Sequence, residues 1–172
     1  MLSPGIAAFL VCAVLAADGM PKPDSVGFRL GVDAESDLDL RISELYLTLG
    51  PPWAWDMGNA SETLLLFETA AGMVDGEDST ALVLSVTPVV RLAFAAVPMD
   101  VVASSGPAYY SEDHFGPLDI GGNFQFISRL GVDWRITGDW RIGYRYEHTS
   151  NAGLDDQNPG LNFHVLGVAC MF

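Results

Sequence analysis

The segment His148-Thr149-Ser150 sets an imidazole and a hydroxyl two residues apart. On an extended strand alternate side chains share a face, so this spacing brings both groups to the same side. A serine hydroxyl is a weak nucleophile until a neighbouring imidazole takes its proton; the pair then suits attack on an ester carbonyl. A bare H-x-S also fits a plainer arrangement, a polar pair that simply meets lipid head groups at an interface. The surrounding elements must decide between the two.

Those elements read as strands. From 139 to 150, Trp140, Ile142, Tyr144, Tyr146, His148 and Ser150 share one parity, while Arg141, Gly143, Arg145, Glu147 and Thr149 share the other. The His–Ser pair therefore sits at the end of an otherwise apolar face. The strand before it sets Phe124, Phe126, Leu130, Val132, Trp134 and Ile136 against Gln125, Arg129, Asp133 and Arg135. Val26, Phe28, Leu30 and Val32 oppose Arg29 and Asp33, and Leu82, Leu84, Val86, Val90, Leu92 and Phe94 oppose Ser85, Thr87 and Arg91.

Period-two stretches of this kind predict eight strands near 26–33, 41–49, 62–72, 80–93, 98–109, 122–136, 139–149 and 161–172. Segments rich in Gly, Pro, Asn and Asp separate them, among them AESDLD, GPPWAWDMGN, DHFGPLDIGG and NAGLDDQNPG. The strands at 41–49, 62–72 and 98–109 alternate too weakly for their faces to be assigned.

Alternation alone also suits a soluble sandwich or a lipocalin-like barrel. Two features point instead to an all-β fold of eight antiparallel strands closed into a transmembrane β-barrel. The polar faces carry both signs of charge, as a lumen of paired ions requires: Arg29, Arg91, Arg129, Arg135, Arg141 and Arg145, with Asp33, Asp133 and Glu147 as partners. The apolar faces end in aromatics, including Trp134, Trp140 and the terminal Phe172, as interface girdles do. Closure follows because open strand edges cannot sit in lipid.

With both ends of the chain on the periplasmic side, the turns near 34–40, 73–79, 110–121 and 151–160 face outward, and all are acidic. They read as solvated loops.

Composition sets the outer bounds. The chain has 172 residues, 8 Lys and Arg against 22 Asp and Glu, and a net charge of −14, which argues against nucleic-acid binding. The apolar run 5–17 has signal-peptide length, and Val14-Leu15-Ala16 offers small residues at the cleavage-defining positions, although no basic residue precedes it. The expected organisation is a signal peptide over 1–17 and a barrel over 18–172. Removal of the signal takes Cys12 with it and leaves Cys170 alone, so no intrachain disulfide is expected. No CxxC, HExxH or Gly-rich phosphate loop is present. Neither a metal nor a cofactor is expected.

The segment HTSNAGL, followed at its spacing by NPGLN, resembles the PagL family, the lipid A 3-O-deacylases of Gram-negative outer membranes. Phe124, Phe126, Arg129 and Gly131 extend the resemblance, which is strongest over about the last fifty residues. It implies ester hydrolysis by a Ser–His–acid arrangement on the outside of an eight-stranded barrel in the outer membrane. The implied substrate is lipopolysaccharide, in contact with outer-membrane lipids, and a homodimer is compatible.

Carried over by motif, His148 is the base and Ser150 the nucleophile. Asn151, through its side chain, and Gly153, through its backbone N–H, match the oxyanion-stabilising groups. The acidic third member falls at Asn162, a departure from the family pattern.

A hairpin that pairs His148 with Asn162 also pairs Tyr146 with His164, Tyr144 with Leu166 and Ile142 with Val168, keeping apolar residues on one face. An Asn carbonyl oxygen can accept the His148 Nδ1–H bond but cannot offset imidazolium charge as a carboxylate does. Either residue can orient the imidazole, so Asn162→Glu is expected to retain or raise activity. Loss of the family's acid also leaves open a non-catalytic structural or lipid-binding barrel, and phospholipid is an alternative ester substrate. Of the other residues, His114 reads as solvated, His164 and Cys170 as lipid-facing fillers, and Trp53 and Trp55 as anchors in a turn.

Overall fold

The computed structural model describes residues 22–35, 38–56, 61–76 and 78–172. The signal peptide expected over 1–17, with Cys12, lies outside them. The strands are β1 (Pro23–Asp33), β2 (Arg41–Asp56), β3 (Ser61–Asp75), β4 (Thr80–Phe94), β5 (Met99–Tyr110), β8 (Phe124–Arg135), β9 (Trp140–Ser150) and β10 (Leu161–Met171). The two-residue strands β6 (His114–Phe115) and β7 (Leu118–Asp119) form a small hairpin in the loop before β8.

The eight long strands close into an antiparallel barrel, β1-β10-β9-β8-β5-β4-β3-β2. Closure comes from β1 against β10, with Val26 opposite Cys170 and Val32 opposite His164. All eight predicted strands are present. The β9–β10 register is the predicted one: His148 opposite Asn162, Tyr146 opposite His164, Tyr144 opposite Leu166 and Ile142 opposite Val168.

The outer wall separates a membrane barrel from a soluble one. Leu30, Leu45, Leu130 and Leu166 are 54%, 63%, 61% and 62% exposed although they lie on the strands. A wall of this composition is stable in hydrocarbon, where strands satisfy their backbone groups by closure. Trp53, Trp55, Trp134, Trp140 and Phe172 are exposed near the rim where β1 begins and β10 ends. Trp53 and Trp55 are not in a turn as expected: β2 runs on past an irregularity between Leu49 and Trp53 and pairs Trp53 with Leu65 and Trp55 with Thr63.

The lumen is filled in two layers, and the first departs from expectation. Beneath the outward loops it is apolar, built from Leu40, Ile42, Val74, Val83, Tyr110, Ile127, Phe163 and Val165, with Phe115 and Ile120 folded in from the β5–β8 loop. This layer accounts for the weak alternation of three strands. In β2, Ile42 points inward and Arg41 outward; in β5, Ala108 points inward and Ser105 outward. An apolar side chain then marks the interior at one end of a strand and the lipid face at the other.

Below lies a buried ion network. Arg29 Nε is 2.6 Å from Glu44, and its Nη2 is 2.6 Å from Glu68. Arg129 reaches Glu147 at 2.6 Å, Glu44 at 3.0 Å and Glu68 at 3.3 Å. Further down, Arg91 pairs with Asp24, Arg145 with Asp133, and Asp100 with Arg135 and Arg141. Asp133 and Glu147 hold the places predicted for them. Asp33 Oδ1 accepts the Glu35 N–H at 3.0 Å, and Glu44 and Glu68, on the strands whose faces were illegible, supply the central charge.

Candidate functional site on the lipid-facing wall

The site lies where β9 and β10 approach the loop-bearing rim. Glu147 and Thr149 are buried in the lumen, and Thr149 meets the Tyr110 hydroxyl at 3.2 Å. That inward parity turns His148 and Ser150 to the outer surface, as their spacing predicts. Ser150 lies opposite Phe126 on β8, and His148 is flanked by Ser128 on β8 and Asn162 on β10. Ser128 in turn meets Ser105 at 2.9 Å, so a polar strip crosses four strands of an otherwise apolar wall.

His148 Nδ1 lies 2.8 Å from Asn162 Oδ1. The Asn162 amide nitrogen donates to Glu35 Oε2 at 2.9 Å, and the Tyr146 hydroxyl donates to Glu35 Oε1 at 3.0 Å. Glu35 belongs to an acidic segment that reads as a solvated loop. It is 127 residues from Asn162 in the chain, and no local pattern marks it; only closure of β1 on β10 brings the two together. Local geometry then holds it: Ala34 N–H bonds the Asn162 carbonyl at 2.8 Å, and Asp33 Oδ1 accepts the Glu35 N–H. Gly160, at φ +74°, covers the other side of the imidazole, where a Cβ would lie 3.0 Å from His148 Cε1.

Asn151 and Gly153 sit where the motif puts them, but neither donor is free in this arrangement. Asn151 is fully buried, because it shares the lumen parity of Glu147 and Thr149. Its amide nitrogen donates to the carbonyls of Gln157 at 2.6 Å, Gly121 at 3.1 Å and Ile120 at 3.4 Å, and its Oδ1 accepts the Gly153 N–H at 2.8 Å. Asn151 thus ties two loops to the turn that follows Ser150, a turn with left-handed backbone at Ala152 (φ 55°) and Gly153 (φ 79°). Gly121, at φ +72°, leaves room for this clamp, since a Cβ there would strike the Gln157 carbonyl and the Asn151 amide.

Asn151→Ala would leave the Gln157 and Gly121 carbonyls and the Gly153 N–H without this partner, whereas the Ile120 carbonyl keeps its bond from Gln125. Unmade bonds of this kind cost about 1–3 kcal/mol per buried group. The expected result is rapid proteolysis of the 151–160 loop and loss of hydrolytic activity, with the heat-modifiable gel shift of a closed barrel retained.

His164 is not an isolated filler. Its Nδ1 is 2.7 Å from the Tyr144 hydroxyl, and its ring stacks on Tyr144 and meets Tyr146 edge-on. His114, expected to be solvated, is exposed on the β6–β7 hairpin with Nδ1 2.6 Å from Asp113 and Nε2 3.5 Å from Asp119. The hydrogen bond to Asp113, aided by Asp119, raises its proton affinity above that of an ordinary histidine. Its contribution to hairpin order is therefore full below the ordinary histidine pKa and is lost as pH rises through the elevated one. Amide exchange in 113–119 is expected to quicken beyond the base-catalysed trend over that interval, and His114→Gln should remove the inflection.

A shallow apolar trough of about 630 Å³ runs over the outer wall of β2–β5 between Leu45, Ala71, Leu84 and Tyr109. It does not include His148 or Ser150, which are open to the side of the barrel rather than enclosed. No cluster of His, Cys, Asp and Glu suited to a metal ion occurs among the described residues.

Fold and site together define a class: an integral-membrane β-barrel that carries His148 and Ser150 at the same strand parity on its outer wall. A family model described as Lipid A 3-O-deacylase (PagL) matches residues 26–170, and the chain belongs to that family. The lipid A deacylase PagL of Bordetella bronchiseptica is 40% identical over 72 residues, 42% of this chain, and the match spans 40% of that protein's length. The lipid A deacylase PagL of Pseudomonas aeruginosa is 26% identical over 133 residues, 69% of this chain and 73% of that protein. A crystal structure described as the outer membrane enzyme PagL superposes with TM-score 0.75 at 22% identity, covering 86% of this chain and 99% of that one. A designed transmembrane β-barrel superposes at 0.58 and 12% identity, over 91% and 100% of the two chains.

Proposed function

We propose that this chain is an outer-membrane lipid A 3-O-deacylase that hydrolyses an ester-linked acyl chain of lipopolysaccharide with Ser150 as nucleophile and His148 as base. His148 Nε2 takes the Ser150 proton as the hydroxyl oxygen attacks the acyl carbonyl. The imidazolium then returns that proton to the departing sugar hydroxyl. Water, deprotonated by the same imidazole, releases the fatty acid from the acyl-enzyme. Asn162 orients the imidazole through Nδ1.

The observation that carries this reading is the outward placement of the pair beside the loop-bearing rim; in the proposed orientation that rim faces the leaflet that holds lipopolysaccharide. An acyl chain lying along the apolar wall would present its ester to Ser150 without leaving the bilayer. Asn151 and Gly153 contribute by holding the turn that presents Ser150; direct oxyanion contacts from them would require the loop bonds to open.

Purified barrel incubated with lipid A should release the 3-O-linked acyl chain, read by mass spectrometry of both products. A serine-reactive fluorophosphonate should label the peptide containing Ser150. Unchanged lipid A together with an unlabelled, folded barrel would exclude the reading, whereas release of a phospholipid chain alone would reassign the substrate.

A further inference from the structure

We propose that Glu35 is a positioning residue that selects the catalytic tautomer of His148 through Asn162 and supplies the negative charge absent from position 162. The inference rests on the Ser150–His148 reading above and adds to it a residue from the far end of the chain.

The argument is one of donors and acceptors. A carboxylate can only accept, so the group that Asn162 turns toward Glu35 must be its NH2. That orientation fixes Oδ1, itself only an acceptor, against His148 Nδ1, 2.8 Å away. Nδ1 must then carry the proton, which leaves the Nε2 lone pair free to receive one from Ser150. Without Glu35 the amide is symmetric to the eye of the imidazole. It can turn over, offer NH2 to Nδ1, and hold the opposite tautomer, whose Nε2 already bears hydrogen and cannot act as base.

Three contacts make the anchor directional rather than a passing ion. Glu35 Oε2 accepts from Asn162 at 2.9 Å, Oε1 accepts from the Tyr146 hydroxyl at 3.0 Å, and Asp33 Oδ1 holds the Glu35 N–H at 3.0 Å. His148, Asn162 and Glu35 thus form a relay in which an amide links imidazole to carboxylate. Asn162→Glu, which the sequence alone favours, would place two carboxylates against each other unless Glu35 is neutralised at the same time.

Two readouts test this in the full-length barrel in detergent micelles, with the heat-modifiable gel shift confirming closure of each variant. In ¹⁵N-histidine spectra, wild-type His148 should show the Nδ1–H tautomer, and Glu35→Ala should convert it to a mixture. On lipid A, Glu35→Ala should lower kcat about 100-fold with KM within about twofold, since losing the useful tautomer in a serine triad costs as much as about 10⁴-fold. Glu35→Gln keeps an acceptor oxygen and should fall by about tenfold, the equivalent of about 1.4 kcal/mol of transition-state charge stabilisation. Asn162→Glu alone should be impaired, and Glu35→Gln combined with Asn162→Glu should recover to within a few-fold of wild type.

An unchanged His148 tautomer in Glu35→Ala would overturn the proposal, as would a double variant no better than Asn162→Glu alone. Full activity in Ser150→Ala would instead remove the nucleophile. The spectroscopic result on the tautomer stands apart from that outcome.

Discussion

Ser150→Ala is expected to reduce turnover on lipid A by about 10⁴-fold or more, with His148→Ala giving a loss of the same order. The reason is that in the proposed mechanism hydroxyl and imidazole act as one unit: without the base nothing takes the hydroxyl proton as the oxygen attacks, and without the hydroxyl the base has no proton to take. Combining the two substitutions should therefore cost little more than either alone. Both side chains lie on the outer wall rather than in the lumen, so the variants should refold with wild-type gel mobility. Parallel mass spectrometry of lipid A with the single and double variants measures the effect. Losses that multiply in the double variant would mean that the two residues act in separate steps.

The second large effect concerns the lumen. Arg129 is 3% exposed and donates to Glu147, Glu44 and Glu68. Arg129→Met leaves three buried carboxylates to a single remaining cation, Arg29. Removing one partner of a buried ion pair costs about 3–5 kcal/mol, because the charge left behind has neither water nor a counter-ion. The midpoint of urea-induced unfolding from lipid vesicles should fall sharply, and refolding yield should drop with it. Pairing Arg129→Met with Glu147→Leu should recover part of the loss, since taking both charges away is far cheaper than stranding one. If Arg129→Met unfolds at the wild-type midpoint, the network does not hold the barrel together.

These two predictions draw on different parts of what could be read in advance. Strand parity from 139 to 150 is enough to put His148 and Ser150 on the same face as Trp140 and Ile142, and Glu147 on the face of Arg145. The same parity consigns Asn151 to the interior with Thr149, which is why its amide meets the loop carbonyls of Gly121 and Gln157. Matching the apolar residues of β9 and β10 yields the register that sets Asn162 beside His148. Side chains that obey a two-residue period, on strands adjacent in sequence, need nothing but local chemistry to be placed.

Where a contact joins distant segments, or a strand meets an interior that changes character along its length, local chemistry is silent. Glu44 and Glu68 could not be assigned because Ile42 and Val74 line an apolar cap on the same inward face. Glu35 looked like one more solvated acid until closure of β1 on β10 set its carboxylate against the Asn162 amide. The chain alone determined the strands, the lipid face of five of them and the H-x-S pair upon it, because each follows from alternation and nearest-neighbour pairing. Only the closed barrel decided which acid stands behind the imidazole and which carboxylates meet Arg129, because Glu35 reaches Asn162 where β1 closes on β10, and Glu44 and Glu68 reach Arg129 across the lumen.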